Sequence, residues 1–191
     1  METEILQQRA ANGLNVESSV VALSHKHAAE LFNTAMYRLL NINKWHTLPC
    51  SLLTELKLTD SKGLNVDRQV RENDYVVINN KNGKGEWVKI ERVFLQSDPS
   101  GLRDVLTIRA RPSCNPLDRD VEAIRPSNTF EVTRQGLNVT ASVYGKNEED
   151  VSTKSYMAME TERPDLTVGA IPGVARVQWR SLVNGILSTW S

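Results

Sequence analysis

The residues here whose types and spacing could do chemistry are three histidines, one arginine that breaks a pattern, and a Gly-Lys-Gly turn. His25 and His27 stand two apart, and His46 follows downstream. On a strand such a pair can share a metal; at the start of a helix the two side chains diverge. No carboxylate or cysteine stands beside them at a ligand spacing, so no metal is expected. Asn82-Gly83-Lys84-Gly85 lies between two strand-like runs with no helix after it. It reads as a hairpin turn, because a phosphate cradle needs a helix N-terminus. Glu148-Glu149-Asp150 reads as solvated loop. The chain contains no GxSxG, HExxH, P-loop or dinucleotide fingerprint, so no cofactor and no catalytic residue is indicated.

Arg92 is the informative residue. Strand alternation puts Val88, Ile90, Arg92 and Phe94 on one face, and the other three are apolar. An arginine there must be paired, reach solvent near an edge, be re-aimed by a bulge, or meet a ligand anion.

Around these residues the apolar pattern defines the elements. Residues 15–23 read as a first strand, rich in β-branched side chains. Ser24 then suits an N-cap, and Ala28, Leu31, Phe32, Ala35, Met36, Leu39 and Leu40 form one helical stripe over 25–40. Pro49 stops the connection that follows. Alternating runs come next at 52–58, 74–79, 87–95 and 102–111. Runs 129–134 and 137–144 flank Gln135-Gly136 as a hairpin with one apolar face. Residues 145–172 are a long polar connection, read as a surface excursion. Val174, Trp179, Leu182, Val183, Ile186, Leu187 and Trp190 recur at helical spacing and predict a closing helix. Gly-Leu-Asn-Val at 13–16, 63–66 and 136–139 reads as three glycine turns entering strands, not as a repeat.

At 191 residues the chain suits one domain, read as 15–191 behind a polar lead-in at 1–14. Strands joined without intervening helices exclude a parallel α/β fold and predict α+β. The expectation is a curved antiparallel sheet, a helix after the first strand, and a C-terminal helix packed in the sheet. Net charge is zero, which argues against nucleic acid and against a polybasic membrane surface. No apolar run is long enough to span a bilayer, and the N-terminus lacks a signal-peptide core. The expected location is cytoplasmic. Cys50 and Cys114 read as unbridged thiols, and Asn138-Val-Thr140 as strand residues rather than a glycosylation site.

This order of elements resembles the START-like helix-grip superfamily, which includes lipid-transfer proteins and polyketide cyclases. The resemblance rests on Ser19–Phe32 as the opening strand and helix, on Asn43-Lys-Trp45, and on Phe130…Val143 as the last hairpin. Arg109–Pro116 also looks like a stretch of uncharacterised bacterial proteins. The superfamily has no universal catalytic residues to carry over. What the resemblance implies is a pocket between sheet and closing helix for a small apolar or amphipathic ligand. The candidate contacts are Arg92, Ile90, Ile108, Phe130, Ala141 and Ile186. The alternatives are a cyclase- or aromatase-like enzyme, which needs ionisable residues inside, and an interaction module with a solid core. Zero net charge is compatible with a homo-oligomer.

Overall fold

Seven strands and two α-helices are present among the described residues of the computed structural model, which are 14–79, 85–117, 127–145 and 174–188. The lead-in, the Asn82–Lys84 turn, the acidic cluster, Pro172, Trp190 and nearly all of 145–172 lie outside them.

The strands are β1 (Leu14–Val21), β2 (Leu56–Thr59), β3 (Tyr75–Asn79), β4 (Gly85–Ser97), β5 (Arg103–Ser113), β6 (Asn128–Gln135) and β7 (Asn138–Gly145). The helices are α1 (His25–Leu40) and α2 (Arg176–Leu187), with a short 3-10 segment at Ile42–Thr47. The strands form one sheet in the order β1-β7-β6-β5-β4-β3-β2, every pair antiparallel. The chain is therefore α+β with an antiparallel sheet. From β2 onward it is a meander, and β1 closes the far edge against β7 after α1 has crossed over.

α1 occupies the span its stripe predicts. Ser24 Oγ accepts from His27 N at 3.2 Å, satisfying one free donor of the first turn. Ala28, Phe32, Ala35 and Leu39 are buried in one core with the sheet. The helix ends because Trp45 folds back. Its Nε1–H donates to Leu39 O at 3.1 Å and to Arg38 O at 3.2 Å, which also takes the Asn41 N–H at 3.3 Å, so carbonyls of the last turn are served from outside the helix. Asn43 serves the sheet edge: its Oδ1 accepts from Leu58 N at 2.7 Å and its Nδ2 donates to Val66 O at 2.8 Å.

One expected strand shrinks. Of Leu52–Leu58, only the end is in β2, and Leu52 is exposed. The backbone of Leu52 is held by α2 instead: Ser181 Oγ accepts from its N–H at 2.8 Å, and Gln178 Nε2 donates to its carbonyl at 3.1 Å. Two of the Gly-Leu-Asn-Val segments are turns, with Gly63 at φ +76° and Gly136 at φ +60°, where glycine has no Cβ penalty.

The far end of α2 is held by α1. Arg38 Nη1 donates to Gly185 O at 3.2 Å, Ile186 O at 2.8 Å and Ser188 O at 2.6 Å. Burial moves the guanidinium below its ordinary pKa, yet an arginine remains charged. Gly185 permits the close approach beside it. A Cβ there would stand 2.8 Å from Pro49 O and 2.9 Å from Leu48 Cβ.

Arg38→Met keeps the apolar stem and removes the donors. The expected loss is about 2–4 kcal/mol, since hydrogen bonds to a charged group are worth about 1.5–3 kcal/mol. Urea unfolding measures it, and a change under about 0.5 kcal/mol, the scale of a neutral surface substitution, would show that these contacts do not hold α2.

Candidate functional site

The inner face of the sheet leaves a small void under α2, about 20 Å³ in volume and lined, among the described residues, by apolar side chains. Ile42 and Trp45 of the 3-10 segment form one wall, with Leu56 of β2 and Val76 and Ile78 of β3 beside them. Val88 and Ile90 of β4 and Ile108 and Ala110 of β5 form the floor. Phe130 of β6, Val174 just before α2 and Trp179 of α2 complete it.

Three aromatic rings span the site. Phe130 lies between two indoles: its centroid is 5.2 Å from Trp45 (tilted, 47°) and 5.3 Å from Trp179 (edge-on, 66°). Rings at these separations attract beyond their simple area burial. All three are buried, so the 3-10 segment, the sheet and α2 meet through one aromatic column.

The expected contacts divide. Ile90, Ile108 and Phe130 line the void. Ala141 is buried but is not on its wall. Ile186 lines a separate void of about 10 Å³ between β1, β7 and the two helices.

Arg92 is on the opposite face, exposed, with its guanidinium 5.3 Å from the Phe94 ring centroid. The cause is a bulge. Ile90 pairs with Ala110 and Arg92 with Arg109, leaving Glu91 as the extra residue. From there the alternation is inverted, and Val93, opposite Ile108, packs against the core in place of Arg92. Contacts from the preceding turn sit against this bulge. Asn73, at φ +67°, donates its N–H to Ile90 O at 2.9 Å, and Asp74 O accepts from Ile90 N at 2.8 Å. Glu72 Oε1 takes the Val93 N–H at 3.3 Å. Arg68 grips the Asp74 carboxylate with both terminal nitrogens, at 2.6 and 2.9 Å. Glu91 itself turns outward and pairs with Arg109 and Arg111, each at 3.1 Å.

The other candidates take structural places. His25 is exposed, and His27 Nδ1 accepts from Leu23 N at 3.3 Å, inside the α1 cap. No metal-holding group of His, Cys, Asp or Glu occurs among the described residues. Cys50 is exposed and Cys114 half-buried, and neither is bridged.

Sequence reasoning missed Trp45 and Trp179 as wall residues. Trp179 was legible as core from its helical stripe; nothing local in the sequence says that the two indoles flank Phe130. No helix among the described residues is long and apolar enough to cross a membrane.

No protein-family model and no curated protein matches the chain. Among solved structures, it is similar to a hypothetical protein, jhp0584, from Helicobacter pylori. That likeness has 12% identity and a TM-score of 0.42, and covers 69% of this chain and 67% of the other.

Two substitutions separate column from surface. Phe130→Ala is expected to cost about 3–5 kcal/mol, as for other buried aromatic truncations. Arg92→Leu is expected to change stability by less than about 0.5 kcal/mol, as for an exposed side chain. Denaturant melts check both, and equal losses would contradict the outward placement of Arg92.

Proposed function

We propose that this chain is a non-catalytic binder of a small apolar or amphipathic molecule, held between the sheet and α2. The observation that carries the reading is the void itself, which sits where the elements converge and is lined only by apolar residues. Such a lining suits an uncharged ligand body, because transfer from water is favourable in proportion to the apolar area buried. At about 20 Å³ the void holds little more than one water-sized probe, so a ligand must widen it. The order of strands and the closing helix support reading the domain as a helix-grip, as the resemblance to the START-like superfamily implies.

No ionisable side chain lines the void among the described residues, so the cyclase- or aromatase-like alternative gains no support there. A second reading, an interaction module with a filled core, is favoured by one observation. Val21, Leu23 and Leu102 are exposed, and the register brings Val21 level with Arg103, next to Leu102, at one end of the sheet.

Native mass spectrometry of gently purified protein tests the first reading. A discrete extra mass that organic extraction removes is expected, together with a thermal shift on adding ethylbenzene. Ala110→Val, which fills the void, is expected to abolish that shift. It should also raise stability by about 0.5 kcal/mol, the cost of a void this size at about 24 cal/mol per Å³. A bare monomer mass with no shift would remove the binder reading. Concentration-dependent self-association would then favour the module.

A further inference from the structure

We propose that the ligand of this site carries a neutral hydrogen-bond acceptor, such as a ketone, ester or ether oxygen, and that Trp179 Nε1–H donates to it. This inference rests on the ligand-binding reading above.

Two indoles line the void, and their donors differ. Trp45 Nε1 is committed to two carbonyls of α1. Trp179 Nε1 is buried, in a residue 1% exposed, and has no acceptor among the described residues. A buried donor without a partner costs about 1–3 kcal/mol, and native structures hold few of them. His46 Nδ1 is also buried without a partner, but His46 is not on the wall.

The void as it stands meets only carbon, so Trp179 Nε1 becomes available when the space widens. Trp179 is carried by α2, the element that must yield for anything larger than a water to enter. A ligand oxygen that reaches the indole removes the desolvation cost already present in the free protein. The other wall residues restrict the class further. None is cationic, so an anionic ligand head would be buried uncompensated. None offers a free side-chain acceptor, so a ligand hydroxyl or amide N–H gains nothing from those side chains. What remains is an apolar body with an acceptor and no donor.

The test uses the full chain with its tryptophan indoles ¹⁵N-labelled and assigned through bonds. It is titrated with acetophenone and with α-methylstyrene, in which a CH₂ replaces the carbonyl oxygen at nearly unchanged shape. Both are expected to bind, and acetophenone alone should shift the Trp179 indole proton downfield. Trp179→Phe should weaken acetophenone about tenfold, or about 1.4 kcal/mol, and leave α-methylstyrene within about twofold. If both bind without a ketone-specific shift, the Trp179 assignment falls while the apolar pocket stands. If neither binds, the pocket reading falls and takes the assignment with it. Should Trp179→Phe not fold, the two wild-type titrations decide alone.

Discussion

Everything placed under α2 depends on how one arginine ends that helix. The last turn of a helix leaves carbonyls unpaired and carries partial negative charge. α2 has no basic residue of its own in that turn, and its C-cap, Ser188, is not in the left-handed conformation that closes many helices. Arg38, in the last turn of α1, supplies the missing donors. A cation between two helices thus fixes where α2 stops. Its apolar stripe (Trp179, Leu182, Val183 and Ile186) can then meet the sheet in a single register. Gly185 makes the same arrangement possible from the other side, because Leu48 and Pro49 occupy the space a side chain would take.

How much of this was legible in the sequence depends on how far each cause lies from its effect. α1 was readable to the residue because cap, stripe and stop are all local. The β6–β7 hairpin was readable for the same reason, with Gly136 between two alternating runs. The inversion at Arg92 was not. Alternation extrapolates through Glu91, but the turn residues Asn73 and Asp74 take the Ile90 backbone, and Glu72 takes the Val93 N–H. A bulge that depends on contacts about twenty residues away leaves no mark on strand periodicity. Leu52 failed likewise, since its backbone partners stand in α2, more than a hundred residues later. Asn43-Lys-Trp45 carries no periodicity of its own and stands out in the sequence only through a resemblance. Its physical content is that Asn43 supplies polar groups to the edge strand and Trp45 closes α1.

The bulge also bears on the site. Without it, Arg92 would stand where Val93 now packs, on the same face as Ile90 and next to a cavity of carbon. A guanidinium there would need a counter-charge or a path to water. The extra residue turns it outward and gives Glu91 to the outer face, where it pairs with two arginines. Apolar closure of the inner face is therefore a backbone effect as much as a choice of side chains. That closure is why Phe130 can stand between two indoles with no polar atom facing the void.

On the ligand-binding reading, the anchors of α2 also say which end yields. At its C-terminal end a charged donor serves three carbonyls, and hydrogen bonds to charged groups contribute about 1.5–3 kcal/mol. Toward its N-terminal end the contacts to Leu52 are neutral, from Ser181 and Gln178, and bonds of that kind contribute about 0.5–1.5 kcal/mol, while the charged donor there, Arg176 Nη2 to Asn15 O at 3.1 Å, is exposed and weakened by water. Leu52 itself is exposed and outside β2, so its backbone can follow the helix at little cost. The cheaper motion pivots at Arg38 and lifts the end that carries Trp179. Widening and release of the indole N–H are then one displacement, and the strong contact that defines the fold need not break for a ligand to enter.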